Sequence, residues 1–290
     1  MMHHPRRIQQ PGPALPERIV AVEGRGRPIT VTLEAGRLLV ETLADGFKAQ
    51  GFAGGTVDMA GVVLSPFAYV MPALSATGDN AAFYSDIFRP AHAVTIDQGQ
   101  MSLGRRDGRP FFHCHALWRE QDGLTHGGHL MPDETRVAHS ITVQAYGIDG
   151  AIFEANPDPE TNFKLFGPVS EPDHGSGAQQ RCFALRLRPN QDFHAALEGF
   201  CRDHGITKAT IYGGVGSTIE ARFNDGRATR NFATEVFITH GEIAPDATGT
   251  LVAHLDVGLV DYQGETASGV LLRGDNSVLM TFELVLAQTA

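Results

Sequence analysis

Residues 110–130 read PFFHCHALWREQDGLTHGGHL, and residues 251–271, LVAHLDVGLVDYQGETASGVL, run against them without a gap. On that register His113 faces His254, Gly123 faces Gly264, Thr125 faces Thr266 and Gly128 faces Gly269. The likeness extends outward in both directions. Each copy opens with a short alternating strand, residues 29–33 (ITVTL) or 183–187 (FALRL), followed by a turn and a helix-period run. Leu38, Leu39, Leu43 and Phe47 share one face of the first run, and Phe193, Ala196, Leu197 and Phe200 one face of the second. Gly51 and Gly205 stand where a helix C-terminus favours glycine. Apolar strands come next, at 57–64 and 209–215. Further on, Gly99 in VTIDQGQ answers Gly241 in VFITHGE, and β-branched strands at 141–145 and 280–284 close the copies.

Period-2 alternation dominates, Gly and Asp punctuate the turns, and one good helix appears early in each copy. The expected fold is therefore α+β, with two repeated domains, each a mostly antiparallel β-sheet flanked by one or two α-helices. Domain 1 is expected over 20–167 and domain 2 over 181–290. Between them 168–180 (PVSEPDHGSGAQQ) has the composition of a linker. A chain of 290 residues exceeds the usual size of one domain, which fits. An insertion at 65–89 occurs only in the first copy, and its aromatic ends suit it to covering an apolar surface or forming an interface.

Apolar residues make up 42% and charged residues 19%, so the chain has ample material for a core and is not a disordered protein. The formal net charge is −10, and both halves are acidic, which argues against broad phosphate contact. Arg105, Arg106 and Arg109 lie together in a Gly-containing stretch that reads as a solvated hairpin turn. Cys114, Cys182 and Cys201 are odd in number with no CxxC spacing, as expected of reduced thiols in the cytoplasm. Residues 1–16 read as a disordered lead-in, neither signal peptide nor membrane anchor. No later run is long and apolar enough to span a bilayer.

Chemistry concentrates in the first copy. His113 and His115 are at i and i+2 of a strand-like run, so both rings point the same way, with Cα atoms roughly 6.5–7 Å apart. A turn at Asp122-Gly123 brings His129, after Gly-Gly, back beside them. His126 is an alternative third member that spacing alone does not exclude. Three neutral imidazoles suit zinc best, with nickel, copper or iron(II) also open, and they leave one coordination position free. A single histidine is more often a partly buried polar side chain, but two on one strand face plus a third after Gly-Gly shift that balance. Glu120 and Asp122 are candidates for a general base or an outer partner, or are hairpin-turn charges. The second copy has His254, Asp256 and Val270 at the matching places, so its site is degenerate and structural, and His240 is isolated. Residues 214–217 (GVGS) follow a strand but lack the lysine and spacing of a phosphate loop.

FFHCHALW…DG…HGGHL followed by a β-branched strand resembles the plants-and-prokaryotes-conserved (PPC, or PCC) domain, the domain associated with AT-hook DNA-binding proteins. Residues 186–217, RLRPNQDFHAALEGFCRDHGITKATIYGGVGS, resemble that domain's opening. A tandem arrangement follows from the internal repeat. The resemblance implies an α+β domain, assembly as a trimer, and zinc held through His113, His115 and His129. It also implies a regulatory, DNA-binding role. Residues 24–28 (GRGRP) spell the core of an AT-hook, yet Glu23 precedes them and a strand follows directly. A working hook lies in a flexible basic arm, so the match reads as chance. The leading expectation is a regulatory, DNA-associated protein with a three-histidine zinc site. The alternatives are a hydrolase-like metal-dependent enzyme, a small-ligand-binding protein using the open coordination position, or an assembly scaffold. No membrane partner is expected.

Overall fold

A computed structural model of the chain describes residues 6–290. The first half comprises β1 (Ile19–Leu33), α1 (Leu39–Ala49), β2 (Gly54–Asp58) and β3 (Val63–Leu64). Three short strands follow, β4 (Tyr69–Val70), β5 (Pro72–Ala73) and β6 (Phe83–Tyr84). Next come β7 (Val94–Arg106), β8 (Arg109–Arg119), β9 (Thr125–Leu130) and β10 (Ile141–Asp149), then a hairpin of β11 (Ala151–Asp158) and β12 (Phe163–Ser170). The second half comprises β13 (Gln180–Leu187), α2 (Phe193–Asp203), β14 (Ala209–Ile219), β15 (Ala233–Pro245), β16 (Leu251–Asp261), β17 (Thr266–Val270) and β18 (Val278–Gln288). It repeats the strand–helix–strand order of the first, with antiparallel pairing throughout except where β11 meets β7 in parallel. The architecture is the expected α+β fold with one helix per half.

The two helices start differently. Asp192 caps α2, its side chain accepting from Ala195 N at 2.9 Å, whereas Leu38 offers α1 no side-chain cap. There the Thr135 carbonyl accepts the Leu39 N–H at 2.9 Å instead, so the loop between β9 and β10 does what the sequence does not. Past each helix, Gly51 (φ 80°) and Gly205 (φ 65°) take up the left-handed backbone that glycine tolerates. Each helix buries its apolar stripe on its own half of the sheet.

β1 joins the halves. Its later residues pair with β10, from Arg25↔Asp149 to Leu33↔Ile141, while its earlier ones pair with β13, from Ile19↔Leu187 to Gly26↔Gln180. One sheet thus runs β17-β16-β15-β14-β18-β13-β1-β10-β2-β7-β8-β9-β4. It also folds back on itself, because Leu117 packs with Val215, Phe237 and Val260 of the second half. A second shared core gathers Tyr146, Ile148 and Phe153 with Cys182, Ala184 and Val285.

Several sequence expectations change. Residues 168–170 finish β12 and Gln180 starts β13, so the stretch between strands is only 171–179. The part of the lead-in that is described is packed, not loose: Arg6 donates to Asp275 O at 2.7 Å, Ile8 N to Asn190 Oδ1 at 2.8 Å, and Gln10 Nε2 to Leu279 O at 2.7 Å. Residues 1–5 lie outside the described residues. The apolar run 57–64 is broken in two, because Asp58 Oδ1 accepts from Ala60 N and Gly61 turns at φ 81°. The GRGRP motif sits inside β1, hydrogen-bonded to neighbours on both edges, which leaves it no free arm. Arg105, Arg106 and Arg109 do flank a hairpin turn, at Asp107 (φ 52°) and Gly108 (φ 73°). No helix among the described residues is long and apolar enough to cross a membrane.

Candidate metal centre

Alternation along β8 decides what its side chains meet. Phe112, Cys114, Ala116 and Trp118 point into the core beneath α1. Phe111, His113, His115 and Leu117 point the other way, toward the second half. β9 returns with Arg119 opposite Thr125, which places His129 directly across from His115. The same register puts His126 opposite Trp118 and out at the surface, beside Asp122 at 3.4 Å. Spacing left two candidates for the third imidazole. The pairing chooses His129.

The three rings converge. Their centroids lie 4.6 Å (His113–His115), 4.8 Å (His113–His129) and 5.3 Å (His115–His129) apart. One ligand nitrogen from each falls within 4.8 Å of the others, an arrangement that could hold a metal ion. Their partners fix more than position. His115 Nδ1 faces the Val236 carbonyl at 3.1 Å, and a carbonyl only accepts, so that nitrogen carries the proton. His113 Nδ1 contacts a carboxylate oxygen of Glu283, to which it donates in the same way. Each neutral ring then presents an unprotonated Nε2, and the two Nε2 atoms are 3.0 Å apart. Two lone pairs aimed at each other repel unless a positive charge, a proton or a metal ion, lies between them.

The surroundings disfavour the proton. Burial first, and then the neighbouring histidines, push His115 well below the ordinary imidazole range. His129 is lowered for the same reasons, burial and then His113. Tetrahedral donors at zinc–nitrogen bonds of about 2.0–2.1 Å stand about 3.3 Å apart. The observed separations, from 3.0 Å between the Nε2 atoms to 4.8 Å at most, bracket that value. Three buried polar atoms here lack hydrogen-bond partners: His129 Nδ1, Glu235 Oε2 and Glu283 Oε2. Buried polar atoms are ordinarily satisfied, so an unpartnered group of this kind is what a missing cation would leave. The residues fit the metal.

Glu235 and Glu283 are the residues that sequence reasoning missed. Glu283 is 0% exposed and Glu235 5% exposed, on the faces of β18 and β15 that meet β8. Burial alone raises the Glu235 carboxyl well above the ordinary carboxylate range, and its Oε1 lies 3.9 Å from His115 Nε2. A signal existed. Glu283 is the one charged residue in VLMTFELVLA, an apolar run with no reason of its own to contain a carboxylate. Glu120 and Asp122 stand elsewhere. Glu120 accepts from Trp118 Nε1 at 2.9 Å and contacts His92, while Asp122 caps its own turn through Leu124 N at 2.8 Å. Both are turn charges.

A cavity of about 60 Å³ adjoins His113 and His115. Its walls are largely apolar (Phe83, Phe163, Leu165 and Met280 among them), with Glu235 and Thr281 as polar points and no lysine or arginine. The insertion supplies the lid-side wall. β4 pairs with β9, Val70 opposite His129, and the Tyr84 ring stands 5.4 Å from His129. Residues 214–217 lie within β14, where Ser217 Oγ accepts from Met280 N at 3.0 Å, so they form no phosphate loop. In the second half, His254 and Asp256 lie at the surface with side chains 55% and 35% exposed, 3.4 Å apart, and Val270 pairs opposite Asp256.

Residues 174–290 match the family model of the Plants and Prokaryotes Conserved (PCC) domain. A plant- and prokaryote-conserved (PPC) protein of Pyrococcus horikoshii aligns at 17% identity and TM-score 0.39, over 51% of this chain and 96% of that one. A metal-containing protein of Archaeoglobus fulgidus aligns at 19% identity and TM-score 0.37, over 49% and 94%. A protein of Ralstonia eutropha described as a DNA-binding candidate aligns at 16% identity and TM-score 0.34, over 48% and 89%. Among curated sequences, the bifunctional protein GlmU of a Synechococcus strain is 30% identical over 113 residues, 38% of this chain. The matched part spans only 17% of that relative's length. The histidine cluster lies in the first half, outside the residues the family model covers, and the second half closes over it. Residues 174–290, less than half of the chain, are the part to which the likeness to the PCC domain extends in this comparison.

Proposed function

We propose that the chain is a metal protein whose first half holds zinc, or another divalent transition metal, through His113, His115 and His129, and that it receives a small uncharged molecule in the adjoining cavity. The observation behind this reading is the pair of Nε2 atoms 3.0 Å apart, each left unprotonated by what its Nδ1 contacts. An ion held by three imidazoles keeps an open position at which it polarises water or a carbonyl group, the chemistry of a hydrolase-like enzyme. The apolar cavity wall excludes bulk water from that position, and its lack of lysine and arginine turns away phosphorylated ligands. Purified untagged protein is expected to contain about one zinc per chain, and His115→Ala close to none. Metal analysis that finds none in the native protein, or an undiminished content in the variant, sinks the reading.

A regulatory DNA-binding role has the family resemblance behind it. Against it stand the net charge of −10 and an AT-hook-like motif locked in a central strand. A labelled duplex that is retained at about 50 mM salt, and released as salt rises, would favour this second reading. The buried, unpaired Cys114, Cys182 and Cys201 suit a reducing cytoplasm. Assembly into a trimer is proposed as well, with the exposed Leu74, Phe83, Ile87 and Phe88 of the insertion as available apolar surface. Light scattering reads the mass.

A further inference from the structure

The three histidines stand on β8 and β9 of the first half. Here the atoms that decide which nitrogen of each ring is free come from the other half of the chain. We propose that the second half presets the first-half centre, with Glu283 on β18 as the positioning residue for His113 and the Val236 carbonyl on β15 doing the same for His115. This rests on the three-histidine reading above.

Three observations bear on it. Glu283 is fully buried with Arg186 opposite it across the strand pair, and its one ion-pair contact among the described residues is His113 Nδ1. Alternation along β18 gives the reason for its direction: Phe282, Leu284 and Leu286 fill the core beneath α2, while Glu283 and Val285 face the first half. A carboxylate placed in such a setting costs free energy unless a partner compensates it. The His113 ring is that partner, and a ring held by Nδ1–H has only Nε2 to offer an ion. On β15 the backbone repeats the arrangement without a side chain, since the Val236 carbonyl takes the Nδ1 proton of His115 at 3.1 Å. The two rings are consequently locked in the one tautomer pair that directs both Nε2 atoms to a common point. Partners of this type raise the basicity of ligating imidazoles and hold their orientation, and their loss commonly weakens metal binding about 10- to 100-fold.

Glu283→Gln on the full chain tests it, since glutamine keeps the shape while its amide can donate as well as accept. Zinc affinity, measured by chelator competition, is expected to fall about 10- to 100-fold. Two-bond nitrogen–proton correlation spectra of the metal-free protein should show His113 protonated on Nδ1 in the native chain and mixed in the variant. Phe282→Leu is the packing control: it lies on the same strand but faces the opposite core against Phe193. It should lower the melting temperature yet leave the His113 tautomer unchanged and zinc affinity within about twofold. Unchanged zinc affinity and tautomer in Glu283→Gln overturn the inference while the three-histidine reading stands. Equal losses in both variants overturn it too, by showing a general effect of packing. A native chain that binds no zinc removes both.

Discussion

β8 and β16 hold matching places in the two halves, yet one carries a buried histidine cluster and the other leaves its histidine in water. Along β8, His113, His115 and Leu117 meet the second half, while Phe111 packs on Phe166 of β12. Along β16, Gly258 and Val260 at one end of that face are buried, Val260 against Leu117, while His254 is exposed and Asp256 half-buried. The pairing registers agree, His115 opposite His129 and Asp256 opposite Val270. Strand register therefore brings donors together, but it does not by itself make a site. What separates the two is cover. The first half receives a buried carboxylate and a backbone carbonyl that orient two of its rings, and burial that disfavours charge on His115 and His129.

The comparison breaks most severely if the cover is loosened. Asp158 on β11 accepts from Arg186 at 2.8 Å and Arg188 at 2.6 Å, both on the second half, and also receives Thr161 N at 3.0 Å. Arg186 is 5% exposed. Asp158→Asn removes the carboxylate that Arg186 contacts and leaves only the more distant Glu283 opposite it; breaking a buried pair typically costs about 3–5 kcal/mol. Urea unfolding should show a loss of this order; a loss below about 1 kcal/mol would mean that β1–β13 pairing and the shared apolar cores hold the halves without this ion pair. The same contact sets an acid limit. Burial acts to raise the Asp158 carboxyl, but the two guanidinium groups and the Thr161 hydroxyl outweigh it and hold the net value below the ordinary 3.8. A carboxylate depressed in the folded state contributes stability above its unfolded pKa and loses it as pH falls through the folded one. Below about pH 4 the native chain should therefore lose stability more steeply than Asp158→Asn.

How much of this was legible follows from what alternation can and cannot say. Residues 113, 115 and 129 could be named because a strand, a turn at Asp122-Gly123 and a returning strand fix which side chains share a face. His126 could not be excluded from spacing, since only the pairing of Arg119 with Thr125 sets the register by which it faces Trp118. Glu235 and Glu283 were missed because alternation shows that residues share a face without showing which distant face they meet. That depends on β1 pairing with β13 as well as β10, a choice that no local pattern in residues 19–33 encodes. Polar composition misled at residues 6–10. Few apolar side chains anchor that segment, and most of its attachment is single hydrogen bonds to distant carbonyls and to Asn190.

The comparison sharpens if the second half is given the missing ligands. Asp256→His with Val270→His would restore, beside His254, the i, i+2 and cross-strand arrangement of the first half. If register sufficed, the two centres would bind alike. Among the described residues the exposed face of β16 meets no counterpart of Glu283, so each added imidazole would sample several rotamers and both tautomers before binding. Ordering such side chains costs about 0.5–1.5 kcal/mol each, and the loss of orienting partners about another tenfold in affinity. The double variant should thus take up a second zinc, at least about tenfold more weakly than the first, resolved as two steps in a chelator titration. Two equal steps would show that cover contributes nothing to affinity, and the difference between the halves would then lie in the identity of three side chains alone.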